Sequence, residues 1–174
     1  MHFIPTPLAG AWIVELEPQK DDRGFFARTF CAEEFGARGL ADRFVQCNTS
    51  WNQRQGTVRG IHYQLPPSAE IKLVRCTAGA LLDVIVDLRP DSPTYLQTYS
   101  IELTAENRRA LYVPEMFGHG FQTLRDGTEV FYQMSELYRP KLGKGLRYDD
   151  PKLAIGWPLP VTLISAQDLS WPWL

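Results

Sequence analysis

The sequence predicts an all-β domain that encloses a ligand cavity, and three observations lead there. Short segments rich in β-branched and aromatic residues, punctuated by Gly, Pro and Asp, recur from about residue 44 to residue 138. The clearest, Leu81 to Arg89, alternates: Leu82, Val84, Val86 and Leu88 fall on one face, and Asp83, Ile85 and Asp87 on the other. Helical signals are few and short. Many short strands without long amphipathic helices make a sandwich, jelly roll or barrel, folds that hold a cavity between or within their sheets.

Along the chain, Pro5, Pro7 and the turn Asp22-Arg23-Gly24 mark an N-terminal arm before the body. Strands are then expected at Thr57 to Leu65, Ile71 to Thr77, Leu81 to Arg89, Leu96 to Leu103, Ala110 to Pro114, Gly120 to Leu124 and Glu129 to Leu137. One face of Leu81 to Arg89 packs, which frees the other to line a polar cavity. Thr104-Ala-Glu-Asn107 and Ser165-Ala-Gln-Asp168 each place a hydroxyl three residues before a polar side chain, as a helix cap does. Each is expected to open a single turn or short helix.

At 174 residues with no break in composition, the chain makes one domain spanning residues 1–174. Hydrophobic residues at 44% and charged residues at 22% suit a packed core rather than disorder. A net charge of −2 without clustered Lys or Arg argues against nucleic acid or a membrane surface as partner, so an anionic ligand must be met locally. The opening MHFIPTPLAG has neither a basic stretch nor a long apolar run, and no later segment has membrane-spanning length; a cytoplasmic location is expected. Cys31, Cys47 and Cys76 are odd in number and widely spaced, and read as buried thiols rather than a disulfide framework or metal site. The phosphate-binding patterns GxGxxG and GxxxxGK[ST] are absent, which argues against a dinucleotide cofactor or ATP.

Only three histidines occur, and two stand in strongly patterned surroundings, Arg59-Gly-Ile-His62-Tyr-Gln64 and Pro114-Glu-Met-Phe-Gly-His119-Gly-Phe121. Each reads two ways: a cavity-facing imidazole suited to general-base work near neutral pH, or a structural ring bonded to backbone. Lys72 shares a face with Glu70 and Val74, opposite Ile71, Leu73 and Arg75. Inside a barrel it would hold an enolate oxygen or a phosphate; on the outer face it is a solvated lysine. Strict alternation puts Arg59 opposite His62 unless Gly60 bulges the strand. Tyr132 and Tyr138 share a face if their strand runs on unbroken, as proton donor and base-stacking ring or as ordinary packing. Asp168 is either the last member of a helix cap or a carboxylate that orients His62 and stabilises its imidazolium form.

A longer set of markers runs in order through the chain: Asp22-Arg-Gly-Phe-Phe26, Gln46-Cys-Asn48, Val58-Arg-Gly-Ile-His-Tyr-Gln64, Lys72-Leu-Val-Arg75, Asp83-Val-Ile-Val-Asp87 and Ser92-Pro-Thr94. Glu106-Asn107, Pro114 through Phe121, Glu129 through Tyr132, Tyr138, Asp150-Pro151, Trp157-Pro158 and Ser165 through Asp168 continue it. In their order and spacing these markers resemble the dTDP-4-dehydrorhamnose 3,5-epimerases of the cupin superfamily, from Ile4 to Pro172. The resemblance implies a cupin jelly roll, or double-stranded β-helix, with a few short peripheral helices. It also implies a homodimer, often with exchanged N-terminal strands, that works without metal or organic cofactor. Metal-binding cupins typically carry an HxH pair, and here Gln64 takes the place of the second histidine.

Carried over by position, the resemblance makes His62 the base, Asp168 its partner carboxylate, Lys72 the enolate-stabilising cation and Tyr132 the acid. It makes Tyr138 the ring that stacks on the nucleotide base, and places Arg23, Gln46, Asn48, Arg59 and His119 at substrate-binding positions, with Phe25 and Arg28 beside them. The implied reaction inverts C3, C5 or both in a nucleotide-linked 4-keto-6-deoxy hexose, first of all dTDP-4-dehydro-6-deoxy-D-glucose to dTDP-4-dehydro-L-rhamnose. A CDP- or GDP-linked sugar, or a jelly roll that binds sugar nucleotides without catalysis, are the alternatives. Arg28 and Gly143 stand where the family usually has Glu, Gln167 where it often has Lys, and Met116 and Gly118 where it usually has Gly and Ala.

Overall fold

Side-chain alternation sorts most of the chain into two facing sheets. The computed structural model describes residues 1–174. The strands are β1 (His2–Pro5), β2 (Trp12–Glu15), β3 (Gln19–Asp21), β4 (Gly24–Phe26), β5 (Gln46–Asn52), β6 (Val58–Gln64) and β7 (Lys72–Ala78). They continue as β8 (Ala80–Asp87), β9 (Thr98–Thr104), β10 (Ala110–Val113), β11 (Phe117–Thr123), β12 (Thr128–Met134) and β13 (Gly143–Gly145). Two short helices, α1 (Ala32–Gly36) and α2 (Ala166–Leu169), complete the fold, and no helix is long and apolar enough to cross a membrane.

One sheet has the order β1-β2-β10-β7-β12-β5 and the other β13-β6-β11-β8-β9, while β3 and β4 form a separate two-stranded ribbon. The central body is one long hairpin with β8 and β9 at its tip. The successive pairs β7–β10, β6–β11 and β5–β12 then fall in alternate sheets. That nesting is a jelly roll.

Between the sheets, Val74 and Cys76 of β7 meet Leu81 and Ile85 of β8, Leu103, Leu111, Phe121 and Val130, all buried. The outer face of the six-stranded sheet is covered by Phe35 of α1, which packs with Leu73, Val14 and Tyr112. The ring of Phe35 meets those of Phe3 and Phe30 at centroid distances of 5.0 Å. The outer face of the five-stranded sheet is covered by Leu146 and Leu153 on Ile61 and Val86. Both faces of β8 are therefore packed, and its Asp83 and Asp87 are fully buried rather than cavity-exposed.

The structure departs from the expected elements where local chemistry hid the strand. β5 carries the polar run Asn48-Thr49-Ser50 and sits at a sheet edge. β13 is only Gly-Lys-Gly. β11 begins at Phe117, ahead of the expected Gly120, because Gly118 and Gly120 weaken the strand signal. β12 ends at Met134, so Tyr138 is not on the strand of Tyr132. Thr104 opens a single turn, one of the two outcomes expected there: Asn107 N–H donates to Thr104 Oγ1 (2.8 Å) and Thr104 N–H to Asn107 Oδ1 (3.1 Å). Ser165 does cap α2, its Oγ accepting from Asp168 N–H at 3.0 Å. Of the three thiols only Cys76 is buried, and burial pushes it up to about 11. Cys31 is half-buried, and Cys47 is exposed on the edge strand β5.

The feature that matters most for the cavity is a bulge in β6. His62 pairs with His119 and Arg59 with Phe121, so Gly60 and Ile61 together face the single residue Gly120. Gly60 has φ +108, and a Cβ there would lie 2.6 Å from Gly120 Cα. The extra residue turns Ile61 outward into the covering cluster and leaves Arg59 and His62 on the same, inner side. Gly60→Ala is expected to lower the unfolding free energy by about 2–4 kcal/mol. Gly156→Ala, at a position with open space around it, should change stability by less than about 0.5 kcal/mol. Chemical denaturation of the two variants checks this; equal midpoints would mean that the bulge accepts a side chain.

Candidate active site

A cavity of about 860 Å³ opens between the two sheets. The five-stranded sheet contributes Arg59 and His62 from β6 and His119 from β11. The six-stranded sheet contributes Gln46, Asn48 and Ser50 from β5, Lys72 from β7 and Tyr132 from β12. Tyr138 and Lys144 stand at one side, and the C-terminal residues Ser165, Gln167, Asp168 and Trp171 at another.

His62 and Asp168, far apart in sequence, meet here. The Nε2–H of His62 donates to Asp168 Oδ1 at 2.6 Å, and the Gly60 amide donates to Oδ2 at 3.2 Å. A carboxylate only accepts, so it fixes the proton of neutral His62 on Nε2 and leaves Nδ1 with a free lone pair. Burial acts to raise the pKa of Asp168, but the His62 hydrogen bond and charge, with the Gly60 amide, outweigh it and hold the carboxyl below its usual range. The His62 side chain is 45% exposed and that of Asp168 5%. Only the imidazole is therefore open to a ligand. Both contacts occur together: the Asp168 amide completes the Ser165 cap while its carboxylate accepts from His62.

Lys72 is not a solvated lysine. Its ammonium is buried against Glu70 Oε1 (3.0 Å) and donates to the His62 carbonyl (3.1 Å). Glu70 in turn accepts from Gln64 Nε2 at 2.7 Å. The Gln64 amide also donates to Ser68 O and Leu137 O and accepts from Arg139 N–H. Gln64 is thus fully engaged in holding the floor together. No group of three or more His, Cys, Asp or Glu side chains is clustered so as to hold a metal ion.

Tyr132 faces the cavity from the sheet opposite His62. Burial, reinforced by the nearby Asp83 charge, pushes its phenol well above the ordinary range against smaller effects of Ser50 and Arg59. It stays protonated at neutral pH. His119, the cross-strand partner of His62, bonds through Nε2 to Asp83 Oδ1 at 2.7 Å, and both side chains are buried. The second oxygen of Asp83 has no hydrogen-bond partner. Arg59 Nε donates to Asn52 Oδ1 at 2.7 Å, and Gln46 Nε2 donates to Asn48 Oδ1 at 3.2 Å. Tyr138, 58% exposed, stands at the mouth with Gly143 beside its ring.

Three residues expected at binding positions lie outside the cavity of their own chain. Arg23 is exposed and paired with Asp21 at 2.5 Å, Arg108 covers the ring of Phe25, and Arg28 reaches Glu34 at 3.4 Å. Arg23 and Phe25 belong to the β3–β4 ribbon, which pairs with neither main sheet, and Arg28 follows it. Conversely, Ser50, Glu70, Lys144 and Trp171 line the cavity without having been put forward as site residues, and Asp83 stands behind His119. Alternation already set Glu70 on the face of Lys72 and Asp83 on the face of its strand opposite Val84 and Val86; Trp171 carries no such signal. Met116 sits at φ +57, a conformation that favours glycine, and a Cβ on Gly118 would lie 2.6 Å from Ile61 Cγ2.

Comparison with known proteins places this geometry. A family model for dTDP-4-dehydrorhamnose 3,5-epimerase matches residues 5–174. The dTDP-4-dehydrorhamnose 3,5-epimerase of Methanothermobacter thermautotrophicus is 44% identical, covering 98% of this chain and 92% of the relative. A dTDP-4-dehydrorhamnose 3-epimerase of Streptomyces niveus is 38% identical, covering 97% of this chain and 81% of the relative. The crystal structure of the 3,5-epimerase from Elizabethkingia anophelis matches with a TM-score of 0.97 at 35% identity, over 99% of this chain and 96% of that one. That from Bacillus anthracis, with TDP and PPi bound, matches with a TM-score of 0.96 at 40% identity over 99% of each chain. On sequence and fold alike, over nearly its full length, the chain belongs to the dTDP-4-dehydrorhamnose 3,5-epimerase family of isomerases.

Proposed function

We propose that this epimerase inverts C3 and C5 of dTDP-4-dehydro-6-deoxy-D-glucose to give dTDP-4-dehydro-L-rhamnose, with His62 as base and Tyr132 as acid. The observation that carries the reading is their placement on opposing sheets of one cavity. Inversion requires a proton to leave one face of a carbon and another to arrive on the opposite face. Two groups on opposite walls do this without turning the sugar over.

The hydrogens at C3 and C5 are acidified by the C4 ketone between them. His62 Nδ1 takes the proton, the C–H electron pair moves into the ring, and the ketone oxygen becomes an enolate oxygen. Lys72, held by Glu70, supplies a preorganised positive charge to that oxygen. Asp168 stabilises the imidazolium that forms. Tyr132 then delivers its phenolic proton to the other face of the carbon, and exchange with water resets both groups. Burial that keeps the phenol loaded also makes its tyrosinate a strong base, so it regains its proton readily. Tyr138 stacks on the nucleotide base, and Arg59, Gln46, Asn48 and His119 bind the remainder of the substrate. No cofactor takes part, and the setting is cytoplasmic.

The same reading includes a homodimer in which the β3–β4 ribbon of one protomer covers the cavity of its partner, bringing Arg23 and Phe25. In support, neither side chain lines the cavity of its own chain, and Phe26 and Trp51 expose 71% and 58% of their surface. The edge strand β5, which carries Gln46 and Asn48, has no neighbour on one side. Arg28 follows the ribbon and would adjust charge near the nucleotide.

Two measurements test this. In deuterium oxide, the wild type should exchange the C3 and C5 hydrogens of the dTDP-linked 4-keto sugar, followed by NMR. His62→Ala should lose that exchange by at least about 100-fold, and Tyr132→Phe should retain washout at one face while inverted product falls. Undiminished exchange in His62→Ala would remove His62 from the base role, and exchange confined to C3 would make the enzyme a 3-epimerase. The dimer is tested by co-expressing Arg23→Ala with His62→Ala. Each alone should be impaired, and the mixture should recover activity in about a quarter of the sites, because half the dimers hold one intact cavity. No recovery would mean that Arg23 does not serve a partner's site.

A further inference from the structure

The segment from Leu163 to Leu174 runs as a strap along the end of β6 that holds the cavity. It is tied at its start by Val58 N–H donating to Leu163 O at 2.9 Å, and farther on by Arg147 donating to Leu169 O at 2.7 Å. Between these ties lies α2, whose four residues are too few to hold a helix alone. Ala166, Gln167 and Leu169 are exposed, and only Asp168 is buried. The helix therefore has no apolar footing of its own.

The footing comes three residues later. Trp171 lies so close over Gly145 that a Cβ there would sit 2.3 Å from the indole Cε2 and Nε1. Gly145 is the β13 residue that pairs with His62. Asp168 and Trp171 thus grip two sides of one cross-strand pair: the imidazole of His62 and the backbone of the residue beside it. The indole Nε1–H is enclosed and has no hydrogen-bond partner. A buried N–H without a partner is unfavourable, so the ring holds this place through its shape and not through its nitrogen.

We propose that Trp171 is a positioning residue for proton transfer: seated on Gly145, it holds the strap so that the Asp168 carboxylate meets Nε2 of His62. The proposal rests on the reading of His62 and Asp168 as the base and its partner. A displacement of the carboxylate by about 1 Å is enough to cost up to roughly 100-fold in rate, which is the scale on which a loosened strap acts.

The test is a double-substitution cycle read by turnover at saturating substrate, together with the low-field proton NMR signal of the His62–Asp168 hydrogen bond. Trp171→Ala should lower turnover by about 10- to 100-fold and broaden or abolish the low-field signal. Trp171→Phe, which keeps a ring and removes the unpartnered N–H, should restore both. In an Asp168→Ala background, Trp171→Ala should cost less than about twofold more. If Trp171→Ala proves unfolded by circular dichroism, Gly145→Ala, which pushes the indole from its seat, carries the same expectations. A retained low-field signal in Trp171→Ala, or losses that multiply across the double variant, would overturn the proposal. If Asp168→Ala alone leaves turnover intact, the dyad reading fails instead, and the NMR signal still decides whether Trp171 places Asp168.

Discussion

One hydrogen bond, from Nε2 of His62 to Asp168, joins the bulged cavity strand to the last helix and sets which nitrogen of the exposed imidazole keeps its lone pair. It spans 106 positions of sequence at 2.6 Å. Its first effect is tautomeric, since a carboxylate on Nε2 leaves Nδ1 free as the basic nitrogen. Its second is electrostatic: the anion that steadies His62 is itself steadied by the Gly60 amide. The neighbouring His119–Asp83 pair has nearly the same geometry, but its imidazole is 5% exposed against 45% for His62. Two similar dyads are therefore distinguished by exposure: one imidazole opens to the cavity and the other is enclosed.

The jelly roll sets that bond across the cavity from a phenol. Its two sheets place the imidazole on one wall and the Tyr132 phenol on the other. Lys72 joins the second wall as a buried cation, and such a charge is tolerated only when paired. Glu70 supplies the pairing, and Gln64 occupies the remaining donor need of Glu70 while tying the loop before Arg139. The position where a metal-binding cupin would carry a second histidine is thus filled by an amide that braces the ammonium.

Much of the body was legible in the chain. Alternation in Leu81 to Arg89 and in the stretch from Ile71 to Thr77 fixed which side chains share a face, and Lys72 with Glu70 followed from it. The polar edge strand β5 was not, because Asn48, Thr49 and Ser50 lack the apolar side chains that announce a strand. Arg59 and His62 lie an odd number of residues apart, and only the bulge at Gly60 reconciles them on one side. Spacing could not reveal the meeting of His62 with Asp168, which depends on the strap returning to β6. Arg23 and Phe25 were expected at the site by resemblance, yet they lie outside the cavity of their own chain, since the ribbon that carries them pairs with neither sheet.

The central claim is geometric: a base and an acid confront opposite faces of one sugar ring whose ketone oxygen meets an ammonium. The most direct measurement is a crystal structure with a dTDP-linked 6-deoxyhexose that lacks the ketone and cannot react. The account predicts His62 Nδ1 within about 3–3.5 Å of C3 or C5 on one face, the Tyr132 hydroxyl on the other, and Lys72 Nζ beside the oxygen at C4. A ring with both groups on the same face, or with Lys72 remote from C4, would contradict it.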